Sequence, residues 1–450
     1  MALGLVSAWA EAGKRVVPFK KGPDFIDPGW LAMAAGHPCF NLDPYLMERT
    51  AITRSFVTQT ADADIAVIEG NRGLYDGVDV DGTYSTAELS KVLRAPVLLV
   101  LDTTKMTRTA AALVLGCQTL DPDVSLAGVI LNRVGGKRQE RLVRSAIEKY
   151  CGIPVVGAIP RRPQAELVER HMGLTPADEH EAVGEAIRRK GELIRGCLDL
   201  EAIWQMAANV PELTSPTPAV SEPGAGRRVR IGVIRDTAFQ FYYPENFSLL
   251  EDAGAEIVKL NALTDASIPD LHALYIGGGF PETHAVMLAE NTSFRKALKA
   301  CVSRGVPVYA ECGGLMFLGR ELQLKGNRYP MADILPVSFE MSERPTGHGY
   351  TDLVVDSENP FFEPGTRLKG HEFHYSSIRT RDRETLPTAF ALERGTGVWR
   401  GRDGIVSGNV LACYSHLHAL GSPEWVQGLM RAARRYRDAQ KEAGLPDSQP

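Results

Sequence analysis

The chain has 450 residues, room for two or three domains with sizeable cores. Hydrophobic residues at 44% and charged residues at 23% are ordinary for soluble globular protein, and a formal net charge of −5 gives no basis for non-specific nucleic-acid binding. No apolar run approaches the roughly 18 residues that span a bilayer, no secretory leader opens the chain, and seven scattered cysteines lack any C-x-x-C spacing, so a cytoplasmic protein without membrane insertion, zinc site or disulfide framework is expected.

The opening "MALGLVSAWAEAGKRVVPFKKGPDFIDPGW" predicts a helix over 1–12, a stop at Gly13 and a strand over 15–19. The loop that follows carries Lys20, Asp24 and Asp27. Residues 65–69 and 95–101 read as buried strands. A helix through "KMTRTAAALVLGCQTL", a strand ending at Asn132, a helix through "KRQERLVRSAIEKYC" and a strand at "IPVVGAIP" complete the series. Such alternation predicts a parallel, doubly wound sheet. "NVPELTSPTPAVSEPGAGRR" is rich in proline and small polar residues and cannot build a core. The expected organisation is a domain over 1–207, a linker over 208–228 and a second α/β domain over 229–450.

"GVPVYAECGGLMFLG" is the sharpest local signal in the second domain. A strand runs into Cys312, two glycines follow, and an apolar helix begins. A nucleophile at such a turn is exposed above the sheet, and the helix N-terminus is expected to favour the thiolate. Without its surroundings, a cysteine at a strand end is more often buried filler. "YIGGGFPE" ends another strand in glycines, so the N–H groups of Gly278, Gly279 and Gly313 are candidates for an oxyanion hole. "VLACYSHLHALGSPEW" offers His416 and His418 as a base to take the cysteine proton. Cysteine elbow, glycine-rich strand end and late histidine, in that order, resemble a class I glutamine amidotransferase domain. On that resemblance Cys312 attacks the glutamine amide and His416, which matches the Tyr-x-His position, is preferred as base. Many members carry an acid two residues after the histidine; here that residue is His418, which implies a Cys-His dyad.

In the first domain Glu69 ends a strand and Asp76 lies in the Gly-rich loop after it. Ligands of open α/β sheets bind beyond the carboxyl ends of the strands, and carboxylates there beside a lysine suit Mg²⁺ and phosphate. Asp-Pro and Gly-Asp pairs also serve as plain turn formers, which applies to Asp27 and Asp76. Glu69 is harder to assign to packing, because an acid ending an apolar strand needs a partner.

The motifs "PFKKGPDFIDPGW", "NLDPYLM", "VIEGNRGLYDG", "DTTKMTRTAAALVLG", "VILNRV", "YIGGGFPE", "AECGGLMFLG", "GHEFHYS" and "CYSHLHA" span nearly the whole chain. In this order they resemble the cobyrinate a,c-diamide synthase family. The resemblance implies an ATP-dependent amide-forming domain, similar to dethiobiotin synthetase, joined to a glutaminase domain, with a tetrapyrrole as substrate. ATP would convert an acetate carboxylate to an acyl phosphate, and ammonia released at Cys312 would displace phosphate. The implied assignments are Lys20, Asp24, Asp27, Asp76 and Asn132 for ATP or substrate, and Glu69 with Asp24 for Mg²⁺. "GHEFHYS" is a candidate tetrapyrrole-facing strand. Siroheme and nickel-sirohydrochlorin amidation are the neighbouring alternatives, and a homodimer is compatible with the family.

Family members place a strand and a G-x-x-x-x-G-K-[ST]-like loop before the helix at "LGLVSAWAEAG". This sequence has neither, and "GGKRQE" lacks the hydroxyl residue after its lysine. The expectation is a P-loop-type domain truncated at its N-terminus, lacking the P-loop, from a downstream start rather than from true loss. Two rivals remain: a non-catalytic tetrapyrrole-binding remnant, and a cysteine hydrolase that uses only the second domain.

Overall fold

The computed structural model describes residues 1–161, 169–170, 173–180, 182–213, 228–380 and 385–442. The chain divides into two compact units, Met1–Pro218 and Ala219–Pro450. Most of the linker expected at 208–228 lies outside the described residues.

In the first unit α1 (Ala2–Glu11), β1 (Val16–Lys21), α2 (Ile26–Ala35), β2 (Phe40–Leu42), α3 (Arg49–Gln59) and β3 (Ile65–Glu69) come first. Next are α4 (Thr86–Leu93), β4 (Val97–Asp102), α5 (Thr109–Leu120), β5 (Leu126–Val134), α6 (Lys137–Cys151) and β6 (Val155–Pro160). A two-stranded hairpin, β7 (Glu169–Arg170) and β8 (Gly173–Leu174), precedes α7 (Val183–Cys197) and α8 (Leu200–Ala208). Pairing among β1 to β6 is parallel, as alternation requires, but it forms two three-stranded sheets, β2-β1-β3 and β4-β5-β6, instead of one. β3 and β4 each lie at a sheet edge, and these runs, expected to be buried, are largely half-buried. Helices α1 and α7 cross closely: a Cβ on Gly4 would stand 2.4 Å from Ile194 Cγ1, and one on Gly191 2.5 Å from Ser7 Oγ.

The second unit begins with β9 (Val229–Ile234), α9 (Pro244–Asp252), β10 (Ala255–Leu260), β11 (Ala273–Ile276), α10 (Ala285–Glu290), α11 (Thr292–Ser303), β12 (Val308–Glu311) and α12 (Gly313–Leu318). The chain then turns to strands: β13 (Glu321–Leu324), β14 (Asn327–Pro330), β15 (Ser338–Met341), β16 (Gly347–Val355), β17 (Arg367–His374), β18 (Ser376–Arg379), β19 (Thr388–Arg394), β20 (Arg402–Ser407), β21 (Val410–Cys413) and β22 (His416–Leu417). Helix α13 (Pro423–Glu442) follows. A ten-stranded sheet runs β10-β9-β11-β12-β21-β20-β19-β16-β17-β22, parallel as far as β21 and antiparallel beyond it. The doubly wound expectation therefore describes the parallel part, and the antiparallel extension is an addition to it. Both faces of the parallel part are covered. Ile276, Val308, Ala310 and Ala412 join one core, while Tyr275, Tyr309, Leu411 and Cys413 join the other. That is the period of two expected of strands buried on both sides.

Candidate active site

Cys312 lies where β12 gives way to α12, with φ 47 and ψ −101. A residue with a Cβ is strained there, and surrounding bonds must hold it. Its N–H donates to Cys413 O at 2.7 Å, and Gly314 N–H donates to Gly277 O at 3.1 Å. The elbow is thus fastened to the ends of β21 and β11. The thiol is buried, and burial first, then the Glu282 carboxylate, push its pKa well above the usual thiol value; the Gly313 N–H works in the opposite direction. The expected thiolate-favouring effect of the helix N-terminus is therefore outweighed, and α12 has only six residues. A resting thiol of this kind needs a base.

Strand pairing brings one. β22 pairs antiparallel with β17, which sets His416 opposite His371. Cross-strand partners stand close enough to touch, and the two rings stack with centroids 4.9 Å apart at 20°. A Cβ on Gly278 would meet His416 Cε1 at 2.5 Å, His416 Nε2 at 3.2 Å and Cys312 Cβ at 3.4 Å. Imidazole and cysteine therefore flank one glycine, with Nε2 on that side. A Cβ on Gly313 would stand 3.0 Å from the Gly279 nitrogen, so the three glycines named from the sequence meet at the elbow. His418 does not join them. It is fully buried, its Nδ1 accepts from Leu420 N–H at 3.2 Å, its ring lies 4.5 Å from that of Tyr243, and its Nε2 is 3.6 Å from Glu245.

"GHEFHYS" is largely consumed in this unit. Phe373 O lies 3.9 Å from Cys312 Sγ, and Glu372 pairs with His374 at 3.3 Å while accepting from Gly397 N–H at 2.9 Å. His371 is buried, and burial together with His416 and His418 holds its imidazole neutral, its pKa well below the usual range. These contacts occupy the side chains of His371, Glu372 and His374 within the unit.

In the first unit the parallel register sets Lys20 beside Glu69. The ammonium reaches Asp27 at 2.5 Å, Glu69 at 3.1 Å and Asp24 at 3.5 Å. Burial opposes this charge, but Glu69, Asp27 and Asp24 outweigh it and raise the Lys20 pKa. Burial and the neighbouring Asp27 push Asp24 up to about 6. For Asp27, burial acts upward but Lys20 prevails and lowers its pKa. Asp76 is elsewhere engaged: its carboxylate accepts from Gly73 N–H at 2.9 Å within its own loop. Asn132 lies near the end of β5, where its Oδ1 accepts from Arg133 N–H at 3.0 Å. Next to it a pocket of about 410 Å³ is lined by Thr104, Lys105, Arg133, Gln139 and Arg161 among others. These pocket residues carry no local signal in the sequence, nor does Glu282; Glu311 is outweighed there by its neighbour Cys312, and His371 stands out only as part of the candidate strand "GHEFHYS".

Among the described residues no group of three or more His, Cys, Asp or Glu side chains is disposed to hold a metal ion unaided. Mg²⁺ does not require such a cage, since it is usually held by one or two carboxylates together with phosphates and waters. Three carboxylates around one lysine leave an excess of negative charge, which suits a hard cation arriving with an anionic nucleotide.

Two domain models match the chain: a CobB/CobQ-like glutamine amidotransferase domain over residues 230–424 and an AAA domain over residues 42–168. The chain is similar to the cobyrinate a,c-diamide synthase of Magnetococcus marinus, with 40% identity covering 96% of this chain and 93% of that protein. Its counterpart in Archaeoglobus fulgidus is 40% identical over 97% of this chain and 94% of its own. That of Salmonella typhimurium is 37% identical over 97% and 95%.

Proposed function

The chain belongs to the cobyrinate a,c-diamide synthase family, and from that premise we propose that it amidates the acetate carboxylates of cobyrinate with nitrogen from glutamine and energy from ATP. The observation that carries the glutaminase half is Gly278, flanked by Cys312 and His416. Cys312 Sγ attacks the side-chain carbonyl carbon of glutamine while His416 Nε2 takes the thiol proton. Gly278, Gly279 and Gly313 N–H groups offer hydrogen bonds to the oxyanion. The C–N bond breaks, His416 returns the proton to the leaving nitrogen, and ammonia departs. Water then cleaves the thioester, releasing glutamate and restoring the thiol.

The synthetase half belongs to the AAA-type unit, which we read more finely as dethiobiotin-synthetase-like. A carboxylate is a poor acyl donor, and ATP, when bound, supplies the phosphoryl group that activates it. Lys20 would steady phosphate, Glu69 and Asp24 would hold Mg²⁺, and Asp27 would keep Lys20 oriented. Asp76 and Asn132 have weaker support, because both are engaged by neighbouring backbone. The basic pocket beside Asn132 is the better candidate for nucleotide contacts. We extend the proposal to a cytoplasmic enzyme able to form a homodimer; the seven cysteines, none of them in a disulfide, suit a reducing compartment.

Siroheme and nickel-sirohydrochlorin yield to cobyrinate, since the relatives are named for it. Two matched domains argue against both the hydrolase and the inert-remnant readings. The test supplies cobyrinate, glutamine and ATP to the full chain. Amide formation that needs all three supports the proposal; glutamine hydrolysis indifferent to ATP and cobyrinate, with no amide formed, would refute it.

A further inference from the structure

We propose that Glu311 is the positioning residue of the glutaminase centre, a carboxylate supplied by the residue immediately before the nucleophile. The inference rests on the reading of Cys312 as nucleophile and His416 as base. Glu311 ends β12 on the aromatic face of the sheet, and it is 1% exposed. Its Oε1 accepts from Leu417 N–H at 3.1 Å, and its Oε2 accepts from Tyr275 OH at 3.2 Å. The same Oε2 stands 3.4 Å from His416 Nδ1.

A purely structural glutamate would tie β22 to the sheet and do no more. Here the carboxylate accepts from the backbone N–H next to His416 and also stands within ion-pair distance of the ring. His371 covers one face of that ring, and Gly278 gives room at its Cε1 edge. A proton on Nδ1, facing the Glu311 carboxylate at 3.4 Å, leaves the lone pair on Nε2, the nitrogen that borders Gly278 together with Cys312. That is the tautomer able to accept the thiol proton, and the carboxylate then stabilises the imidazolium that forms. The position two residues after the histidine, where the sequence suggested a missing third member, holds a His418 already spent on Leu420, Tyr243 and Glu245. Glu311 fills the same office from the opposite side of the chain, so the dyad expected from the sequence becomes Cys312–His416–Glu311.

The test uses the full chain with Glu311→Gln and Glu311→Asp, beside Cys312→Ala and His416→Ala. Glu311→Gln keeps an acceptor for Leu417 N–H but removes the charge. Its glutamine-dependent kcat should fall on the order of 10²-fold or more, with the KM for glutamine within about a factor of two. Amidation from added ammonia and the Tm should stay put, and Glu311→Asp should recover part of the loss. A Glu311→Gln kcat within about threefold of the parent, while Cys312→Ala and His416→Ala are dead with glutamine, overturns the proposal alone. Equal loss with glutamine and ammonia, or a collapsed Tm in both Glu311 variants, overturns it in favour of a structural role. Glutamine use surviving Cys312→Ala would instead sink the underlying reading.

Discussion

At the scale of single residues, two different kinds of acid shape the chemistry. Glu69 and Glu311 both end apolar strands, and an acid in that position calls for a partner. Glu69 stands out in the sequence for this reason; Glu311 meets the same rule, but its neighbour Cys312 is the stronger local signal. Lys20 answers for the first and His416 for the second. Cys312→Ala should abolish amidation from glutamine while leaving amidation from ammonia, measured as amide product with each nitrogen source. Glu69→Gln should lower ATP-dependent amidation on the order of 10-fold or more and spare basal glutaminase, checked by assaying both activities on one preparation. Asp24 makes a prediction about pH. Its folded pKa of about 6 exceeds its ordinary 3.8, so the folded state holds the proton more tightly than the unfolded chain between these values. Stability contributed by this group therefore falls as pH rises from about 4 to 6, and the penalty is fully present above 6. With the side chain 33% exposed, solvent screening limits the effect to the order of 1 kcal/mol. Asp24→Asn should match the parent near pH 4 and equal or exceed its stability at pH 7, read from urea midpoints across that range.

Among elements, the strand-to-helix elbow and the strand-end glycines were legible because each has a local signature. The antiparallel extension was not. Consecutive strands such as β16 and β17 pair there, but β16 also pairs with β19 and β17 with β22, and periodicity alone cannot name such non-consecutive partners. His371 illustrates the cost: "GHEFHYS" reads as a strand, but only the β17–β22 register reveals that His371 faces His416. The two-sheet arrangement of the first unit was hidden for a similar reason, since apolar runs identify strands without stating their neighbours. Between β21 and β22 the chain is held by Asp403, whose carboxylate accepts from Gly404, Tyr414 and Ser415 N–H groups and from Ser415 Oγ at 2.9–3.0 Å. Asp403→Ala would leave these buried donors unpaired. A loss on the order of 3 kcal/mol is expected in urea unfolding, together with weakened glutaminase because His416 follows directly.

For the whole molecule, the sequence motifs ran through both units in one order, and the two matched domains follow the same division. Each unit has its own core and its own candidate centre: a nucleophile with its base in one, a lysine ringed by carboxylates in the other. Neither set of side chains can complete an amidation from glutamine alone, since one frees nitrogen and the other activates an acid. The proposed partnership predicts that nitrogen in the product comes from the side-chain amide of glutamine by way of Cys312. The most direct measurement is mass spectrometry of the tetrapyrrole product after reaction with ATP, cobyrinate and glutamine labelled with heavy nitrogen at its amide. Label should enter the product with the parent chain and not with Cys312→Ala, which should accept label only from ammonia. Label transfer from glutamine by Cys312→Ala, or unlabelled amide from the parent, would contradict the account.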